Sequence, residues 1–304
     1  MCIRDRIETL LNRDLPEEER IPLIEKFRKM YETMDFYVLY NRFLKKEGYQ
    51  TLPRRPLEKR KLRYEDVYPV LYLKYRLSRQ AERSNIKHLV IDEMQDYSRL
   101  QYLIIRRMFS CKMTILGDRA QTMADHQQDV LQFLPGIFGK DLRRIEMRKS
   151  YRNTVEIASY AANLIGVTDL ELFERHGMPV LERDVTDLEA ALREAVDTLF
   201  PDEKTYETAA VIVPDAKTAE RAYLILREIL AEKDFDCGKR LSWLNRDSSS
   251  FKKGLTVTTF YLAKGLEFDQ VFSIFPKDEK REIMMQAQYI AATRALHELR
   301  VYHI

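Results

Sequence analysis

The chain has 304 residues, a formal net charge of +3 and a pI near 8.5. That allows one large or two medium domains with a real core and makes the charge only weak evidence for a polyanion partner. Three cysteines without a pairing pattern (Cys2, Cys111, Cys237) argue against a disulfide scaffold and for a reducing, cytoplasmic compartment; no Cys or His cluster suggests a structural metal, and no apolar run reaches the roughly 18–20 residues that cross a bilayer.

In chain order, the opening "MCIRDR" has no targeting character. It resembles translated adapter sequence from read assembly, which implies that the natural N-terminus is missing. Residues up to about 84 read as helical and highly charged. "PEEERIPLIEKFRKMYETMDFYVLYNRFLKKEG" opens on Pro and acids and closes on basic residues and Gly, the order of helix start and stop signals. "TLPRRPLEKRKLR" is Pro-rich and basic and reads as a loop. "YEDVYPVLYLKYRLSRQA" has helical spacing, with a Pro expected to end or bend a helix. From His88 the texture changes to strand–loop–helix alternation. Apolar runs at "HLVI", "MTIL", "LRRIEM", "AAVIV", "LTVTTF" and "VFSIF" alternate with helical patterns such as "VEIASYAANLI" and "EIMMQAQYIAATRAL". Buried strands alternating with helices predict parallel sheets of the α/β class.

Asp92, Glu93 and Asp96 follow the strand "HLVI" directly. In open α/β sheets ligands bind outside the carboxyl ends of strands, so these acids sit at the expected edge. Asp92 suits a hydrated Mg²⁺, which takes one or two carboxylates plus phosphate oxygens. Glu93 suits orienting and deprotonating a water. The alternative is the solvated start of a helix, where negative charge is favoured. A second strand, "MTIL", ends in Gly117–Asp118, with Gln121 three residues later. Gly there lets a phosphate approach the backbone, and an amide both accepts from water and donates to phosphate; a simple turn is the alternative.

Five segments in order resemble superfamily 1 helicases of the UvrD/Rep type. "IDEMQD" resembles their Walker B motif II, "LGDRAQT" motif III, "KSYRNTVEIASYAANLI" motif IV, "TTFYLAKGLEFDQV" motif V and "YIAATRALHELRVY" motif VI. The resemblance implies two RecA-like domains with ATP between them. It implies Mg²⁺ on Asp92, water activation by Glu93 and γ-phosphate sensing by Gln121. Tyr151 would stack on adenine, Arg152 would reach the phosphates, Glu267 the ribose with Gly265 admitting the backbone, and Arg294 would be the arginine finger. The bland alternatives are a buried, bonded ring for Tyr151 and surface ion pairs for Arg152 and Arg294. The expected division is a helical segment over 1–84, the C-terminal part of an incomplete first RecA-like domain over 85–138, and a second RecA-like domain over 139–304.

No G-x-x-x-x-G-K-[ST] run occurs anywhere in the sequence. The phosphate-cradling loop is therefore missing, and the chain is expected to be the C-terminal portion of a longer protein, inactive alone. Motif III continues "TMADHQQD", with Ala124 where the family has a base-stacking aromatic. Motif V carries Tyr261, Leu262 and Ala263 where the family has His, Lys and Ser. The wording "DEMQDYS", "MTILGD" and "YLAKGLEFD" resembles the HelD branch, ATPases associated with RNA polymerase. That resemblance implies a motor that remodels or recycles RNA polymerase, with residues 1–84 as the tail of an inserted arm and the return to the core; an ordinary helical subdomain is the alternative. Two other functions stay open: an ATP-dependent 3'-5' DNA helicase or translocase, and a non-catalytic binding module.

Overall fold

In the computed structural model, residues 16–29, 33, 35–77, 85–118, 121, 129–139, 142–147, 149–167, 171–199, 206–233, 237–248, 253–277 and 282–304 are described. "MCIRDR", the Ala124 segment and the segment between Leu77 and Asn85 lie outside them. The chain divides into two units, Met1–Asp118 with Gln127–Leu142, and Arg119–His126 with Arg143–Ile304.

The first unit begins with helices α1 (Glu17–Lys29), α2 (Phe36–Lys46) and α3 (Tyr64–Leu77). Asp35 caps α2, accepting from the backbone N–H groups of Tyr37 and Val38, and Lys45 and Lys46 stand in its last turn, where the helix dipole favours them. Pro69 does not end α3, which runs through it. The N–H it lacks would have bonded the carbonyl of Glu65, in the exposed first turn, where water can serve instead. The buried faces of α2 and the following loop form a small core of Tyr37, Tyr40, Leu44 and Leu52.

Two strands, β1 (His88–Ile91) and β2 (Lys112–Ile115), pair in parallel with His88 opposite Lys112. Helix α4 (Arg99–Met108) connects them. It starts in a capping box in which Ser98 accepts from Gln101 N–H and the Gln101 side chain reaches back to Ser98 N–H. Helix α5 (Val130–Phe138) follows. Ile91, Tyr102, Val130, Phe133 and Leu134 are the core beneath this sheet.

The second unit holds a six-stranded, all-parallel sheet ordered β5-β10-β9-β6-β8-β7. Its strands are β5 (Leu181–Asp184), β6 (Thr208–Val213), β7 (Leu241–Trp243), β8 (Gly254–Thr259), β9 (Phe268–Phe275) and β10 (Ala295–His303); a two-strand ribbon, β3 (Lys149–Ser150) with β4 (Glu171–Leu172), stands apart. Alternation decides which residues face which layer. From β6, Ala209, Val211 and Val213 pack against helices α7 (Leu188–Asp197) and α8 (Ala216–Ala231). Ala210 and Ile212 face the other way, toward α6 (Val155–Leu164) and α10 (Glu282–Ala292). Burying each aliphatic side chain of this sheet contributes about 1.5–3 kcal/mol. The α/β class with parallel sheets therefore holds.

Two expected elements differ. "LRRIEM" forms no strand; Ile145 and Met147 are exposed, and among the described residues no strand pairs with the segment. The helix of "EIMMQAQYIAATRAL" stops at Ala292, and Ala295–His303 is β10, an interior strand of the sheet. Its charges are managed inside the sheet: buried Glu298 accepts from Arg300 Nε at 2.7 Å.

Candidate functional site

In the first unit the chain leaves β1 at its carboxyl end and turns sharply. Glu93 adopts φ 50°, ψ 52°, and is the one non-glycine residue with positive φ among those described. Such a conformation costs about 1–3 kcal/mol and persists where surroundings over-determine it. Here they do. Met94 N–H donates to Leu116 O at 2.8 Å, Leu116 N–H to Ile91 O at 2.8 Å, and the Tyr102 hydroxyl to Met94 O at 3.0 Å. Gln95 is 2% exposed and bridges the two strand ends: its Nε2 donates to Glu93 Oε2 at 2.6 Å and its Oε1 accepts from Asp118 N–H at 3.1 Å. A Cβ on Gly117 would fall 2.5 Å from Gln95 Oε1 and 2.6 Å from Met94 N. What approaches this glycine closely is therefore the turn after β1.

Asp92 is exposed, and its Oδ1 accepts from Glu93 N–H at 2.8 Å. No ion pair or further hydrogen bond engages it among the described residues. No group of three or more metal-ligating side chains occurs among them. A lone exposed carboxylate at a strand end fits Mg²⁺, which keeps most of its water; it does not fit a chelating protein cage.

In the second unit, Tyr151, Arg152, Gly265, Glu267 and Arg294 gather at the amino ends of β9 and β10, the opposite strand ends from those used by Asp92 and Glu93 in the first unit. Phe268 N–H, at the start of β9, donates to Arg294 O at 2.9 Å. Asn153, 7% exposed, donates from Nδ2 to Ala295 O at 2.6 Å and Thr293 O at 3.3 Å, fastening the Tyr151–Arg152 segment to the start of β10. Arg152 Nε meets Glu267 Oε1 at 2.6 Å, with both side chains more than 40% exposed. Gly265 takes φ 75° with open space around it, so its conformation, rather than crowding, calls for glycine. Tyr151 is 61% exposed and tilts against Phe173 at 5.5 Å, with Lys149 Nζ 5.5 Å from its ring centre. Arg294 is 1% exposed; its guanidinium donates to Ile290 O at 3.2 Å, Leu266 O at 3.4 Å and Thr293 Oγ1 at 3.1 Å.

Residues 1–127 match the UvrD/REP helicase N-terminal domain. No curated protein matches the chain. Among solved structures, the C-terminal domain of a possible DNA helicase from Lactobacillus plantarum WCFS1 is 24% identical, over 51% of this chain and 88% of that one, with a TM-score of 0.40. The PRRSV helicase is 16% identical over 71% of this chain, with a TM-score of 0.40. An arterivirus nonstructural protein 10 helicase in complex with DNA is 14% identical over 74%, with a TM-score of 0.38. The aligned part spans only 35% and 41% of those two viral chains.

The UvrD/REP match includes Asp92, Glu93, Gly117, Asp118 and Gln121. Gln121 is buried, at 6% exposure. Of the bland alternatives, the surface ion pair holds for Arg152, whose partner is itself a candidate site residue. It does not hold for Arg294, which is interior, and Tyr151 is an open ring instead of a buried one. Ala263 is fully buried in the core under α10, so packing accounts for the loss of a polar group there; Tyr261 beside it is 46% exposed. Sequence reasoning missed Gln95 and Asn153. Gln95 was readable only as part of a motif, and nothing local marks Asn153, whose partners lie 140 and 142 residues away.

Proposed function

We propose that the intact protein is an ATP-driven motor on the UvrD plan, and that its target, as in HelD proteins, is RNA polymerase. The observation carrying this reading is the strained turn at Glu93, held by Gln95 against Asp118 within the segment that matches the UvrD/REP N-terminal domain. In the nucleotide reading Asp92 would hold Mg²⁺, which would supply positive charge against that developing on the phosphates. Gln95 occupies Glu93 Oε2, leaving Oε1 to take the proton of an attacking water. Gln121 orients that water against the γ-phosphate. Tyr151 offers its open face to a purine ring. Arg152 exchanges Glu267 for phosphate, freeing the Glu267 carboxylate for ribose hydroxyls, while Gly265 keeps the backbone clear. Arg294 reaches a phosphate only by leaving the carbonyls of Ile290 and Leu266, which ties its use as an arginine finger to a rearrangement of the second unit.

The polymerase target rests on the wording of motifs II, III and V. A second reading, translocation along DNA, is favoured by the exposed ring of Tyr261 in motif V. A third, a binding module without turnover, follows from the missing phosphate loop.

The test uses the protein with its upstream coding region restored. ATP turnover is measured with and without core RNA polymerase, together with release of polymerase from a stalled complex. Turnover that Glu93→Gln abolishes while nucleotide still binds, with release dependent on ATP, is the expected result. Processive strand separation without polymerase binding would move the assignment to a helicase. Absence of turnover in the restored protein would leave the binding module.

A further inference from the structure

We infer that a cavity between α3, α4 and α5 of the first unit binds a small phosphorylated ligand with an aromatic body. Its volume is about 400 Å³, within the range of small-molecule sites. Three arginines line it, Arg76 from α3 and Arg106 and Arg107 from α4, and no acid does. Arg106 and Arg107 stand in the last turn of α4, just before β2 begins. The cavity therefore lies toward the amino ends of β1 and β2, the edge opposite Asp92 and Glu93.

The arginines carry the inference. None of the three meets a carboxylate among the described residues. Arg107 Nε donates to Tyr75 O at 3.1 Å, which fixes the guanidinium and leaves both of its Nη groups without a partner among those residues. A cation in the last turn of a helix suits the helix dipole. That accounts for a cation at each helix end, but not for three around one concavity without an acid. Like charges gathered there repel one another and oppose the compact state. An anion between them removes that repulsion, and guanidinium forks match phosphate oxygens bidentately.

The rest of the lining selects the body of the ligand. Tyr72, Tyr75, Leu103 and Ile137 are half-buried and offer aromatic and aliphatic surface that an inorganic anion would leave unused. The cations converge on a cavity between three helices instead of running along a groove, which favours a compact ligand over a polymer. The inference does not depend on the motor reading, because no residue of the candidate nucleotide site lines the cavity.

The experiment is equilibrium dialysis of the full chain against 1-naphthyl phosphate, read by the fluorescence of the ligand. About 15 non-hydrogen atoms at the efficiency of drug-sized ligands predict a dissociation constant of about 0.5 mM or tighter. Arg106→Gln with Arg107→Gln should weaken binding about 10-fold or more. Gly136→Leu adds bulk at the cavity wall, at a helical position where a Cβ meets nothing within 4 Å; it should weaken binding comparably with no change of charge. Arg221→Gln with Arg227→Gln, on the exposed face of α8, should leave binding as it was. Inorganic phosphate and 1-naphthol should each compete several-fold less well than 1-naphthyl phosphate itself. Thermal unfolding confirms that each variant is folded, and the Gly136 variant stands in if the arginine variant is not. Undetectable wild-type binding, binding unchanged in the arginine variant, or equal competition by phosphate or naphthol alone would overturn the proposal. So would dT20 or polyglutamate displacing 1-naphthyl phosphate at equal charge concentration, which would assign the cavity to a polymeric anion.

Discussion

Replacing Gly117 with alanine should drive the end of β2 away from the turn that carries Glu93. The new methyl would overlap Met94 Cγ and approach Gln95 Oε1 and Met94 N, at 2.5 and 2.6 Å. A side chain can swing away, but Met94 N is backbone, held at 2.8 Å from Leu116 O. Relief therefore requires breaking that bond, the Asp118–Gln95 bond, or both. Overpacking costs about 1–3 kcal/mol and each lost hydrogen bond about 0.5–1.5 kcal/mol, giving about 1.5–6 kcal/mol in total. Hydrogen exchange read by peptide mass spectrometry separates this from changes elsewhere. Amides within 88–118 should exchange about 10-fold faster or more, while peptides from 254–304 serve as an internal reference. Gly136→Ala tests the same unit in the opposite direction. Gly136 lies inside α5 with nothing within 4 Å of its missing Cβ, so alanine should stabilise by about 0.5–1 kcal/mol. Exchange over 88–118 unchanged within twofold in Gly117→Ala would refute the reasoning.

Asn153→Ala should remove both bonds to the start of β10, costing about 1–3 kcal/mol and lowering the melting temperature of the second unit by several degrees, read through Trp243 fluorescence. His297 is held below the usual imidazole range by burial and by Arg175, against the pull of Asp269. Its contribution to stability is therefore present above about pH 6.5 and lost as pH falls below it. His297→Phe, which retains the stack on Tyr206, should show a smaller drop in melting temperature between pH 6.5 and 5.5 than the parent; an equal drop would exclude His297 as the cause. Glu156 is pulled down to about 2 by its bond to His176, helped by Gly177 N–H. That contribution is present above about pH 4.5 and lost as pH falls toward 2, so Glu156→Gln should flatten acid unfolding in that window, as followed by circular dichroism.

Strands buried on both faces were legible because their composition admits little else: "AAVIV" and "LTVTTF" became β6 and β8. "LRRIEM" failed because an apolar run predicts a strand only where a neighbour exists to pair with it. The strand β10 went unread for the opposite reason, since "ALHELRVYH" places a glutamate inside the sheet and relies on Arg300 to satisfy it. At the candidate site, Asp92 and Glu93 were legible from an apolar run ending in acids. The left-handed turn at Glu93 and the bridge through Gln95 were not, because both depend on where the end of β2 comes to rest. The meeting of Arg152 with Glu267, 115 positions apart, likewise appears only once β9 and β10 lie side by side.

The Arg152–Glu267 pair also sets how binding should respond to ionic strength. In the proposed nucleotide site, an anion arriving at Arg152 would displace the carboxylate of Glu267 already paired with it. Added salt screens the incoming anion, but it screens the resident carboxylate as well, and at 0.15 M the screening length is about 8 Å. The two effects oppose each other, so in that reading Arg152 would act as an exchanger, its occupancy by an anionic ligand changing less with salt than that of an arginine standing alone. Removing the competitor with Glu267→Gln should restore the steeper response.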